Sequence, residues 1–176
     1  RYSKLFNRRK KKCMKKGLSL LLILIAVLLV GCGKKTSLKE LNVDEVFTTE
    51  GRFFVYFYRD DCPDCEQTKP VIVSYLDLID DNTLYEGKKT IYAVNLSKEQ
   101  NSFAYRSYKE AALNWGEGQG SDGSFWINGV TDKDKLHIGA TSALISVGVD
   151  SNNKRFTTFI ASGYESISQY LDEYLK

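Results

Sequence analysis

The chain is poor in several residue types, and each shortage narrows what it can be. Four cysteines in 176 residues are too few for a disulfide-dense miniature scaffold. Only 2 prolines exclude a collagen-like or proline-rich chain. There is 1 histidine, His137, and 1 methionine, Met14. No apolar run reaches the roughly 20 residues that span a membrane; the longest, at 18–30, is interrupted by Ser19. What remains is a globular composition, 43% hydrophobic and 27% charged, which excludes a disordered chain. The length suits one domain of about 150 residues with appendages.

The formal net charge is +3, which taken alone hints at nucleic acid or an anionic surface. The charge is not evenly spread. Residues 1–16 hold nine basic side chains and no acidic one: Arg1, Lys4, Arg8, Arg9, Lys10, Lys11, Lys12, Lys15 and Lys16. The apolar stretch 18–30 follows, then Gly31 and Cys32. A basic segment, a short apolar segment and a small residue before a cleavage point describe a secretory signal. A short uncleaved anchor is the alternative. Met14-Lys15-Lys16 reads as the start of that signal, with 1–13 as an upstream extension and 14–31 as the signal peptide.

Leu29-Val30-Gly31-Cys32 resembles the lipobox of bacterial lipoproteins. The resemblance implies cleavage before Cys32 and lipidation of that cysteine, with 32–37 as a polar tether; a plain signal peptide with a chance cysteine is the competing reading. Removal of 1–31 leaves 145 residues, enough for one domain with a sizeable core. That remainder holds 16 Lys+Arg against 22 Asp+Glu, a net charge of −6. The basic balance therefore belongs to the leader, and no nucleic-acid partner is expected.

Cys13 lies upstream of the expected start and Cys32 is the lipidation candidate, so Cys62 and Cys65 remain as thiols, in Cys62-Pro63-Asp64-Cys65. A bond between them closes a very short loop and removes little unfolded-state entropy, which makes a structural staple a poor explanation. Their context points to chemistry. Residues 52–58, Arg-Phe-Phe-Val-Tyr-Phe-Tyr, read as a buried strand. Asp60-Asp61 breaks it, Pro63 suits the first turn of a helix, and Val71, Ile72, Tyr75, Leu76 and Ile79 recur at helical spacing. Cys62 then falls at the helix N-cap and Cys65 one turn in, on the same face. Free N–H groups and the helix dipole stabilise a thiolate at Cys62. Cys-x-x-Cys that follows a strand and opens a helix is a redox signal. Half a zinc site is the other use of this spacing, but His137 alone leaves such a site dependent on carboxylates or a second chain.

From these residues the chain resembles the thioredoxin family over roughly 38–176. Pro70 lies five residues after Cys65, where the family keeps the proline of its active-site helix. Residues 90–96 match the next strand, 143–149 and 155–160 form a hairpin around Ser151-Asn152-Asn153, and Gly163 and an amphipathic helix over 167–175 close the domain. The resemblance implies an α/β, thioredoxin-like fold: a central mixed sheet flanked by helices, in the order β-α-β-insert-β-β-α. The helical and glycine-rich insert occupies about 98–135, before the last hairpin. It further implies Cys62 and Cys65 as catalytic residues, Pro63, Asp64, Thr141 and Ser142 as substrate-binding positions, and no cofactor or metal.

Three departures distinguish this chain from the family pattern. The proline that presents backbone to substrate is replaced by Ser142, and a non-proline cis bond costs about 3 kcal/mol, so Thr141–Ser142 is expected to be trans. The family's buried acid falls at Tyr56, which cannot act as a base near neutral pH. Asp61 stands where a tryptophan is usual. Such departures resemble thioredoxin-like lipoproteins and the bacteriocin transport accessory proteins of Gram-positive bacteria. That likeness implies a lipid-anchored location on the outer face of the cell membrane. The partners implied are exported thiol or disulfide proteins and a membrane thiol electron donor.

Asp60, Asp61, Asp64 and Glu66 surround the motif, and their charge disfavours a second anion at Cys62. The expectation is a Cys62 less acidic than in strong oxidants, and a reductase or relay role. Residues 98–115 read as a helix with Phe103, Tyr105, Tyr108, Ala111, Ala112 and Leu113 facing a core. Gly118-Gln119-Gly120-Ser121-Asp122-Gly123 matches Gly-x-Gly-x-x-Gly, but a helix rather than a strand precedes it, so it reads as a connection. Trp115, Phe125 and Trp126 flank that loop, either for partner recognition or for ordinary packing. Asp132-Lys133-Asp134-Lys135 starts like a calcium loop but meets His137 and Ala143 where glycine and glutamate are needed, so it reads as a solvated turn. His137 reads as structural. Two functions remain open: an extracytoplasmic thiol–disulfide oxidoreductase, or a thioredoxin-like accessory module whose cysteines are not catalytic.

Overall fold

The computed structural model describes residues 37–106 and 126–176. The chain divides into two units, 1–35 and 36–176, and every described residue belongs to the second. The expected leader, Cys32, the second half of the 98–115 helix and the glycine-rich loop lie outside the described residues. Among the described residues no helix is long and apolar enough to cross a membrane.

The elements are α1 (Val43–Val46), β1 (Phe53–Tyr58), α2 (Pro63–Asp81), β2 (Ile91–Asn95), β3 (Ala143–Val149), β4 (Arg155–Ser162) and α3 (Tyr164–Leu175). One sheet runs in the order β2-β1-β3-β4. β1 pairs parallel with β2 and antiparallel with β3. The parallel pair needs a crossover, which α2 supplies. β3 and β4 form the antiparallel hairpin, turned by Asn153 in the left-handed region at φ 61°. Within that hairpin Gly148 faces Phe156; a side chain on Gly148 would come within 2.7 Å of the ring. Lys39 and Leu41 bond to Ala93 and extend the sheet beyond β2.

β1 explains its own aromatic run. All six of its residues are buried, because both faces of the sheet are covered. Successive side chains point to opposite faces, and the cores divide accordingly. Phe53, Val55 and Phe57 join Val43, Val46, Leu136, Ile138 and Ile145 on one face. Phe54, Tyr56 and Tyr58 join the cysteines, Ile72, Leu76, Ile167 and Leu171 under α2 and α3 on the other. Phe54 meets Tyr170 and Tyr174 of α3 edge-on, a favoured aromatic geometry.

The expected helix at 98–115 is corrected at its start. Residues Glu99–Ala104 form a 3-10 helix that ends at Tyr105, and Tyr105 bridges to Ile138. The cause is Asn101, fully buried, whose side chain donates to Asn95 O and accepts from Val43 N. These long-range bonds hold the turn against α1 and β2. Phe103, expected in a core, is 44% exposed, whereas Tyr105 packs on the Phe57 side of the sheet. The Asp132 turn is as read: Lys133–Lys135 form a 3-10 turn capped by the Asp132 side chain.

His137 lies half-buried with its ring edge-on to Trp126, and Arg106 stacks on the same indole. Burial, then the Arg106 charge, holds the imidazole below its usual value of 6.5. The unfolded chain therefore binds the proton more tightly, and stability rises with pH in that window. Stability should be full above pH 6.5, fall as pH drops through 6.5, and level off below the folded-state pKa. His137→Gln should flatten this slope in denaturant titrations between about pH 7.5 and 5; an unaltered slope would show that another group causes it.

Candidate active site

β1 delivers the chain to the cysteines and α2 presents them. Cys62 is the N-cap of α2, with Pro63 at the first helical position, where its missing N–H costs nothing. Cys65 follows one turn later, and the two sulfurs are bonded, with Cα atoms 5.2 Å apart. Cys62 is 7% exposed and Cys65 3%, so both residues are buried. The backbone N–H of Cys65 donates to Cys62 Sγ at 3.2 Å and also to Cys62 O at 3.0 Å. On reduction, that N–H and the end of α2 favour negative charge on the same sulfur. Pro70 lies within α2 as the resemblance requires, and leaves the Glu66 carbonyl without its helical donor.

The four acidic neighbours are disposed differently than their spacing suggests. Arg59 holds Asp61 through two bonds, Nε to Oδ1 at 3.0 Å and Nη2 to Oδ2 at 2.6 Å, and keeps its carboxyl below the usual carboxylate range. Asp60 accepts from Asn95 Nδ2, and its N–H donates to Ser97. Asp64 turns toward the start of α3 and accepts from Tyr164 N at 3.3 Å, close to Gly163 at φ 82°. A Cβ on Gly163 would lie 3.2 Å from Asp64 Oδ2. Glu66 is exposed. Asp61 thus has a cation beside it, whereas Asp60 and Asp64 meet neutral N–H donors.

Tyr56 takes the place of the family's buried acid, and the structure shows what it does there. Its ring is fully buried and stacked on Tyr58. Its hydroxyl donates to Cys65 O at 2.9 Å. Burial, then the charges of Tyr58 and Asp64, push its pKa far above the usual phenol value, so it is a permanent donor and not a base. Sequence reading identified what Tyr56 cannot do; its bond to the active-site helix had no sequence signal.

The Thr141–Ser142 bond is cis, which corrects the expectation of trans. That expectation weighed only the local preference. In the folded chain Ser142 is fully buried, its carbonyl accepts from Gly163 N at 2.9 Å, and its hydroxyl meets Thr68 Oγ1 of α2 at 2.9 Å. Thr141 beside it is half-buried, and Pro63 is exposed next to Cys62. The structure thus joins Ser142 directly to α2, and Asp64 to α3. Among the described residues no group of three or more His, Cys, Asp or Glu could hold a metal ion.

A mixed sheet, a crossover helix that opens on a Cys-Pro-Asp-Cys pair, and a closing hairpin and helix make this an α/β protein of thioredoxin-like fold. No protein-family model matches the chain. No curated protein matches it either. Among solved structures it is similar to the crystal structure of the J-Trx1 fragment of ERdj5, with 16% identity and a TM-score of 0.38, covering 80% of this chain and 51% of that one. The chain spans about half the length of that structure.

Proposed function

We propose that this protein is a thiol–disulfide oxidoreductase that acts outside the cytoplasm, held at the membrane by a lipid on Cys32, as a reductase or electron relay for exported proteins. The observation that carries the redox reading is the Cys62–Cys65 pair at the N-terminus of α2, with the Cys65 N–H aimed at Cys62 Sγ. The leader and the Leu-Val-Gly-Cys sequence support the location. In the reducing direction, the Cys62 thiolate attacks one sulfur of a substrate disulfide and releases the other as a thiolate, which takes up a proton. The Cys65 thiol then loses its proton and attacks Cys62 Sγ. This frees the second substrate sulfur as a thiol and leaves Cys62–Cys65 oxidised. A membrane thiol donor then reduces the pair by the same two exchanges.

The second reading is an accessory module for export of another secreted factor, as the likeness to bacteriocin transport accessory proteins suggests. The low exposure of both cysteine residues favours it. Equilibration of the full chain with glutathione buffers measures the potential of the pair. A value of about −270 mV or lower is expected for a reductase, whereas one near −120 mV would reverse the proposed direction.

A further inference from the structure

We propose that Thr68 and Ser142 are positioning residues that tune the Cys62 thiolate through a directed hydrogen-bond chain, an inference that deepens the redox reading and rests on it. Thr68 Oγ1 lies 2.7 Å from the Asp64 carbonyl oxygen. A carbonyl only accepts, so the single hydroxyl hydrogen of Thr68 is committed there. Ser142 Oγ, 2.9 Å from Thr68 Oγ1, must then be the donor in that contact. The Asp64 carbonyl belongs to the same peptide unit as the Cys65 N–H, which is shared between Cys62 Sγ at 3.2 Å and Cys62 O at 3.0 Å. The path runs Ser142 O–H to Thr68 O–H, to the Asp64–Cys65 peptide, to Cys62 Sγ as one of the two acceptors of the Cys65 N–H.

A donor on the carbonyl side of a peptide polarises its N–H, and bonds aligned head to tail strengthen one another. Thr68 and Ser142 are both fully buried, so water does not attenuate the chain. Its far end is anchored where Ser142 O accepts from Gly163 N. A negative charge on Cys62 gains most from this alignment, and a disulfide sulfur gains less. The chain therefore favours the thiolate and lowers the Cys62 thiol pKa. Thr68 lies one turn beyond Cys65 on α2, and Ser142 arrives from the start of β3; neither touches a substrate to exert this effect.

The test is alkylation of Cys62 by iodoacetamide in the reduced full chain against pH, followed by fragment-ion mass spectrometry that assigns the adduct to Cys62, because Cys65 lies in the same peptide. Thr68→Val keeps the shape of the side chain and removes the hydroxyl. It should move the Cys62 midpoint upward by roughly 0.5 unit, which is about a 3-fold lower alkylation rate below the midpoint. Thr68→Ser should restore the original midpoint. Thr68→Val with Ser142→Ala leaves no hydroxyl unpaired and should shift the midpoint as Thr68→Val does.

The ionisable groups around the motif are Asp60, Asp61, Asp64, Glu66 and Lys69, with Arg59, Tyr56 and Tyr58 from β1 and its loop and Tyr164 from α3. All are unchanged in these variants, and residues 139–142 carry none. A purely structural pair would move the melting temperature and leave the midpoint in place. An unmoved midpoint in the double variant, or a Thr68→Ser shift as large as that of Thr68→Val, overturns the proposal. Should Thr68→Val fail to fold, Ser142→Ala decides: a smaller upward shift supports the chain, and none overturns it. The redox reading fails separately. A midpoint that answers to Thr68 in a protein with no exchange activity keeps the hydrogen-bond chain and removes the function, and the converse removes the chain alone.

Discussion

Cys62→Ser should lower the rate of disulfide reduction by at least about 10^3-fold, because a hydroxyl at neutral pH is not ionised and cannot replace the thiolate as nucleophile. Cys65→Ala should behave differently. Cys62 keeps the backbone N–H of residue 65 on its sulfur, so attack proceeds, but the resolving thiol is gone. A mixed disulfide should accumulate and be visible on a non-reducing gel, and should vanish in the Cys62→Ser, Cys65→Ala double variant. The outcome that favours the accessory-module reading is full cellular function in Cys62→Ser together with no captured partner in Cys65→Ala. The asymmetry follows from the fold: Cys62 lies at the open end of α2, whereas Cys65 lies one turn inside it, with its carbonyl bonded to Tyr56.

Phe57→Ala should cost about 3–5 kcal/mol in denaturant unfolding, the range for removal of a buried aromatic ring. Phe57 is fully buried in the central strand, between Val94 on the parallel side and Ala143 on the antiparallel side. It belongs, with Val46 and Ile138, to the core opposite the cysteines. Neighbours on two strands cannot close over the space that it fills, so the cavity persists. A loss of this size is a large part of the 5–15 kcal/mol that holds a typical domain together. Phe103→Ala, at a 44% exposed ring, should stay within about 0.5 kcal/mol. A Phe57→Ala loss below about 1 kcal/mol would place that ring outside the main core.

Most of the fold was legible because it is built from local signals. The aromatic run in β1, the proline after Cys62, the helical spacing in α2, the Ser-Asn-Asn turn and the apolar stripe of α3 each concern a few adjacent residues. The strand bounds differ from the reading by two residues at most, and the last helix starts three residues earlier, at Tyr164. The segment after β2 was misread for the complementary reason. Its apolar residues fit helical spacing, but Asn101 is drawn into bonds with Asn95 and Val43, and Val43 lies 58 residues away in sequence. Phe103 is exposed as a consequence. The same limit applied to the acidic residues. Their crowding around the motif is visible in the sequence, whereas the partners they meet, Arg59 for Asp61 and the start of α3 for Asp64, are set by the folded chain.

The amino-acid sequence by itself determined the fold class and the position of Cys62 at a helix start with Cys65 one turn on, because strand, turn and helix signals act over a few residues. Tertiary structure alone decided what surrounds the sulfur. Ser142 reaches Thr68 across 74 residues and Asp64 reaches Tyr164 across 100. Tyr56 turns its hydroxyl onto α2. These contacts depend on the order in which the strands assemble and on which helix covers which face, and no periodicity in the chain encodes a hydrogen bond between residues that far apart.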